Sequence, residues 1–129
     1  MKKPDWKIWM KDRKECKNWL NLYSRRGVLR KSDDESRLYI NKSEHNLNFA
    51  NWIFEKHNNE IPRVLNDTFY DWLVNIYYYA IYHIALALVS REGFSSKSHS
   101  ATLCFLIYHH YHLQKEVTEE DIILVASSL

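Results

Sequence analysis

Residues 76–89 read IYYYAIYHIALALV, from Ile76 to Val89, and hold neither glycine nor proline. Apolar and aromatic side chains fill nearly every position without period-two alternation, which suits a helix buried on most sides. The run is about fourteen residues long and contains His83, whereas crossing a bilayer takes about twenty. It therefore reads as the core helix of a soluble protein. Asp67 or Thr68 supplies its N-cap, Asp71 an acidic first turn and Gly93 its stop. The helix is expected to run to about Glu92 and to be the most buried element of the molecule.

Four further helices are expected around it. The first spans about Asp5 to Arg26, with Trp6, Trp9, Met10, Cys16, Trp19, Leu20 and Tyr23 at three- and four-residue steps and Gly27 closing it. Leu29 to Ser32 is a connector. The second covers about Asp34 to His57, with Leu38, His45, Phe49, Trp52 and Ile53 on its stripe, and Asn58, Asn59 and Pro62 end it. A fourth runs from about His99 to Leu113, carrying Leu103, Leu106, Ile107 and Tyr111. The last opens at Thr118 and Asp121, a capping-box pattern, and continues to Leu129. With two glycines and two prolines in 129 residues, hairpin-rich sandwiches and barrels lack their turn chemistry. Gly27 and Gly93 lie too far apart for a phosphate-cradling loop. The fold class is all-α, an up-and-down helical bundle without a sheet.

Charge divides the chain. Residues 1–32 hold eleven Lys/Arg against three acids, while residues 33–129 hold seven against thirteen. This marks a basic N-terminal helix and connector (1–32) on an acidic bundle (33–129). Cations interleaved with Trp6, Trp9 and Trp19 can track phosphates and stack bases, or the indoles can bury against the bundle and leave the cations in solvent. Cys16 and Cys104 have neither metal nor redox-motif spacing and read as two free, buried thiols of a reducing compartment. No signal-peptide pattern is visible, so the expected location is cytoplasmic, without a membrane.

Three groups of residues could carry chemistry. Tyr79 and His83, four apart, share a helix face and form either a ligand site or a paired polar network in the core. Arg91, Ser96, Lys97, Ser98 and His99 surround a helix start that could hold an anion, or Ser96 or Ser98 simply caps it. His109, His112 and Glu116 follow helical steps of three and four, a spacing open to a metal, or they form a solvated helix end. Fifteen per cent aromatic content exceeds what one small bundle readily hides, so a homodimer or tight heterocomplex is expected.

Lys42-Ser43-Glu44-His45-Asn46-Leu47, Tyr78-Tyr79-Ala80-Ile81-Tyr82-His83 and Lys97-Ser98-His99 together resemble segments of the HEPN domain family, in particular its small prokaryotic and archaeal members. The resemblance covers about residues 16–115. It implies a nucleotide-binding helical bundle, frequent homodimers and, in many members, a nucleotidyltransferase partner in a toxin–antitoxin-like pair. Tyr79, His83, Lys97, Ser98 and His99 are the candidate ligand-binding positions, and no cofactor is expected. Active members are metal-independent ribonucleases with four to six residues between an Arg and a His. Here Arg37 with His45, and Arg91 with His99, each have seven residues between them, so Arg91 and His99 are the candidate pair for RNA cleavage but depart from that spacing. The family's last helix is expected beyond Leu129.

Overall fold

The computed structural model describes residues 3–60, 66 and 68–127; Pro62, Asp67 and Leu129, expected to stop one helix, cap another and end the last, lie outside them. Of the described residues 75% are helical, and they include one short two-stranded sheet. Helices α1 (Trp6–Lys11) and α2 (Arg13–Arg25) lead through strand β1 (Leu29–Lys31) into α3 (Ser36–Asn59). The chain returns along α4 (Tyr70–Arg91), passes through strand β2 (Phe94–Ser96) and enters α5 (His99–Phe105). That helix continues as a π-helical segment, π1 (Leu106–Leu113), and α6 (Glu119–Ser127) follows.

The single N-terminal helix expected over residues 5–26 is broken. Asp12 adopts an extended conformation (φ −124°, ψ 94°), and its carboxylate accepts the Glu15 N–H at 3.1 Å, capping α2. Asp12-Arg13-Lys14-Glu15 is itself a capping pattern, which the continuous apolar spacing concealed. The expected absence of a sheet is also corrected. β1 and β2 pair antiparallel, Leu29 opposite Ser96 and Lys31 opposite Phe94. Gly27 (φ 71°) and Gly93 (φ 85°) each end a helix in the left-handed region and turn the chain into its strand. Hydrogen bonds from Ser32 N to Gly93 O (2.8 Å) and Lys97 N to Val28 O (3.0 Å) close the ribbon at both ends.

The core lies elsewhere than the most apolar stretch predicts. Residues 101–107 of α5 and π1 are all buried, whereas between Ile76 and Val89 only Ala80, Ala85, Ala87 and Val89 are. Around α5 and π1 pack Trp9, Cys16, Trp19, Leu20, Tyr23 and Leu29 from the N-terminal side, Ala85 and Val89 of α4, and Ile122 of α6. Trp9 is the largest fully buried side chain, its ring 6.0 Å from Trp19 and 6.5 Å from Tyr23. Trp9 and Trp19 are therefore core rather than stacking platforms, whereas Trp6 is only partly buried, with Lys7 Nζ 5.9 Å from its ring. Lys3, Lys7, Lys11, Arg13, Lys14, Lys17, Arg25 and Arg26 face solvent.

Helices α3 and α4 form a long antiparallel hairpin, and α3 packs almost only on α4. Its seam repeats every three and four residues: Tyr39, Ser43, Asn46, Ala50, Ile53 and His57 on α3, Leu73, Ile76, Ala80, His83, Ala87 and Ser90 on α4. Small residues allow a close approach, and Ser43 Oγ donates to the Ala80 carbonyl at 2.7 Å. Of the stripe expected inward on the second helix, Ile53 lies in the seam, whereas Leu38, Phe49 and Trp52 are turned out, at 48%, 48% and 55% exposure. Burying small and polar side chains in a tight seam leaves the bulky ones no room there. α4 is long and apolar enough to cross a membrane by length and composition, but its companion α3 carries Arg37, Lys42, Glu44, Glu55 and Lys56 along its length.

Candidate functional site

Tyr79, 61% exposed, lines a groove of about 380 Å³ on the outer side of α4 together with Trp72, Asn75, Tyr78, Tyr82 and His99. Helical steps of three and four bring Asn75, Tyr78, Tyr79 and Tyr82 onto one strip of α4, and the start of α5 supplies His99. The His99 imidazole lies against the Tyr82 ring, centroids 4.2 Å apart. The Tyr82 hydroxyl is 3.1 Å from Thr102 Oγ1, which in turn lies 2.8 Å from Ser96 Oγ and 2.9 Å from the Ser98 carbonyl. Burial pushes the Tyr82 phenol above its ordinary value, so it stays protonated as a hydrogen-bond donor or acceptor. The groove offers flat rings, an amide able to read a planar edge, and an imidazole. It suits an aromatic or heterocyclic ligand.

His83 does not share this groove with Tyr79. It turns into the hairpin seam, 3.3 Å from Asn46 Nδ2 through Nδ1 and stacked on Tyr39 at 6.4 Å. Burial first, and the Lys42 charge second, hold its pKa below the usual histidine value. The pairing suits a structural histidine, while His83 also lines a separate open groove with Leu38, Asn41, Lys42, His45 and Asn46. Replacing His83 with Leu should cost about 1 kcal/mol of stability, since the Asn46 amide loses its partner. A thermal melt that stays level or rises would instead mark His83 as a ligand-binding group.

Ser98 caps α5, its hydroxyl accepting the Ala101 N–H at 3.0 Å, while Lys97 is exposed and its backbone N–H completes the ribbon. The helix start is thus occupied by its own cap. Arg91 and His99 have separate partners. Arg91 grips both oxygens of Glu116, at 2.9 and 2.8 Å, and approaches Glu92 at 3.7 Å, whereas His99 lies on Tyr82.

His109, His112 and Glu116 do not converge either. The π-helical turn redirects each imidazole: His109 lies on Phe105 at 4.3 Å, and His112 Nε2–H donates to the Trp9 carbonyl at 2.6 Å. Lys115, in the left-handed region (φ 55°), folds the chain back so that Glu116 meets His110, which α-helical spacing placed on another face. His110 is fully buried, with Nδ1 2.7 Å from Glu116 Oε1 and Nε2 without a hydrogen-bond partner. Donor atoms of Glu92, His110 and Glu116 lie within 4.8 Å of one another, the spacing of a metal set. Arg91 already holds Glu116, and the Gln114 amide donates to Glu92 at 3.1 Å, so the carboxylates are partnered by the fold itself. The His110 and Arg91 hydrogen bonds hold the Glu116 carboxyl below the ordinary carboxylate range. Sequence reasoning missed His110 because nothing in residues 106–113 announces a π-helix.

No protein-family model, curated protein or solved structure matches this chain.

Proposed function

We propose that the protein is a cytoplasmic binding protein of the HEPN type, acting through the outer face of the α3–α4 hairpin and pairing there with a second copy of itself. One observation carries this reading. Of the sixteen large hydrophobic side chains exposed among the described residues, twelve lie on α3 and α4, with Trp72 at 63% and Tyr79 at 61%. They flank the hairpin on both sides of α3, Leu38, Phe49 and Trp52 opposite Ile40, Leu47 and Phe54. Apolar surface gathered on one arm of the fold marks an interface, with aromatic residues the usual anchors. Two hairpins meeting face to face make a four-helix arrangement, and a two-fold pair is the commonest assembly for such a self-complementary surface.

Sedimentation at tens of micromolar tests it. The wild-type chain should run as a dimer, and the double variant Trp72→Glu, Tyr79→Glu should dissociate at least about 100-fold more readily, because charge replaces central aromatic anchors. Far-ultraviolet circular dichroism should not change, since both residues are exposed. A monomeric wild type would overturn the second copy as occupant. A stoichiometric complex with a nucleotidyltransferase-type protein would then identify the other partner the resemblance implies.

The Tyr79–Tyr82–His99 groove favours a second reading, a nucleotide or RNA ligand stacked on these rings. Nucleotide titrations followed by tyrosine and tryptophan fluorescence should saturate for the wild type and weaken for His99→Ala. RNA cleavage in EDTA by the wild type, lost in His99→Ala, would make the protein a metal-independent endoribonuclease rather than a binding protein.

A further inference from the structure

Cys16 of α2 and Cys104 of α5 face each other in the centre of the core, Sγ to Sγ 3.9 Å, and both are completely buried. Each thiol also approaches the other's backbone: Cys16 Sγ is 3.5 Å from the Cys104 carbonyl, and Cys104 Sγ is 3.4 Å from the Cys16 carbonyl. This reciprocal geometry places the two residues side by side on adjacent helices, though 88 positions apart in sequence. An S–S bond of about 2.05 Å requires the sulfurs to close nearly half of their separation, and their placement side by side makes them the pair that can do so.

We infer that Cys16 and Cys104 form a thiol–disulfide exchange site, which a low-molecular-weight disulfide such as oxidised glutathione converts to an intramolecular cystine. In the first step one of the two thiols, as its thiolate, attacks a glutathione sulfur. The glutathione S–S bond breaks, a mixed disulfide forms, and one glutathione thiolate leaves with the displaced proton. The second cysteine, as its thiolate, then attacks the protein sulfur of the mixed disulfide, forming the Cys16–Cys104 bond and releasing a second glutathione. The pair loses two electrons and two protons, and one glutathione disulfide becomes two thiols.

Burial sets the kinetics. A sulfur with no exposed surface reacts only when α2 lifts, and the contact with the Cys16 thiol first, with burial second, disfavours the Cys104 thiolate. Once one sulfur is captured, the glutathionyl group keeps α2 from redocking until the neighbouring cysteine displaces it, and the proximity of that cysteine favours closure over escape. The bond would clamp the N-terminal helix pair onto α5 and so hold Trp9 and Trp19 over the core.

The test incubates the full chain with oxidised glutathione, with and without urea below the unfolding midpoint, and reads intact mass, thiol count after denaturation and thermal melting. A loss of about 2 Da, no titratable thiol and a midpoint raised by about 10 °C or more are the expected results, as for a cross-link closing a long loop. Sub-denaturing urea should accelerate the reaction without changing its product. A stable glutathione adduct at one cysteine, a cross-linked dimer on a non-reducing gel, or two thiols surviving throughout would each overturn the inference. Cys16→Ala and Cys104→Ala should stop at the mixed disulfide. If neither variant folds, the wild-type mass and melt decide alone.

Discussion

Trp9→Ala should lower the free energy of unfolding by about 3–5 kcal/mol, the range for removing a large aromatic from a packed core. Domains of this kind have only about 5–15 kcal/mol in total, so the variant should be largely unfolded at moderate urea where the wild type is not. The indole is 1% exposed, touches Trp19 and Tyr23, and belongs to the segment whose carbonyl holds His112. Little can collapse into the space it leaves. Deleting residues 1–31 goes further, uncovering the sides of α5 and π1 that Trp9, Cys16, Trp19, Leu20 and Tyr23 cover. That truncated chain should aggregate during expression. A soluble, cooperatively melting 32–129 fragment would show instead that the N-terminal pair is an appendage, and its exposed cations would then be the place to look for salt-dependent RNA binding.

The second large effect is expected at Glu116. Glu116→Ala should cost about 1–3 kcal/mol, because it leaves the buried His110 Nδ1–H without an acceptor. Combining it with His110→Leu should cost clearly less than the two single changes added together, since the buried donor disappears along with its partner. Equal sums would mean that the two groups do not act as a pair. The pH dependence follows from the same contact. The Glu116 carboxyl titrates lower in the fold than in the unfolded chain, so its contribution is intact above the ordinary glutamate value of 4.5 and is lost as pH falls through its folded value. His83 and His109 add a milder loss at higher pH. Burial, the leading cause for both, holds their folded values below 6.5, so stability declines as pH drops past that point and the unfolded chain takes up protons. Urea midpoints measured from pH 8 to pH 3 should therefore fall in two stages, and Glu116→Gln should flatten the lower one.

Helix punctuation was the legible part of the sequence except at the start of α4, where Phe69, and not the expected Thr68, holds the N-cap position without a side-chain cap. Gly27 and Gly93 end helices in the left-handed region, Ser98 caps α5, and Thr118 and Asp121 exchange backbone hydrogen bonds at 2.9 and 3.2 Å as a capping box does. These signals are local, carried by one or two residues whose side chains contact their own backbone. Which helix would occupy the centre was not legible. Hydropathy ranks Ile76–Val89 first, but the structure uses that helix's small residues for a seam and gives the centre to residues 101–107. Burial depends on what faces an element, and sequence spacing names only the element. The histidine cluster failed for a related reason. Residues three and four apart share a face only on an α-helix, and a π-helical turn sends His109, His110 and His112 to Phe105, Glu116 and Trp9. The Tyr79–His99 side of the groove was within reach of sequence reading, whereas Trp72 and Asn75 joined it only once the helix had a direction.

The ribbon of β1 and β2 has a consequence for how this molecule can change over time. Residues 32 and 93 leave and re-enter the core side by side, joined by a backbone hydrogen bond of 2.8 Å. Among the described residues between them, the helices α3 and α4 form an arm that gives the core Ala85 and Val89, with Leu88 packed against it, near the arm's base. Its seam repeats in sevens, so adding or removing one heptad from each helix at the far end preserves every contact below. Reach and partner choice can thus diversify by insertion at the tip, while the core, its buried thiols and its capped helices stay as they are.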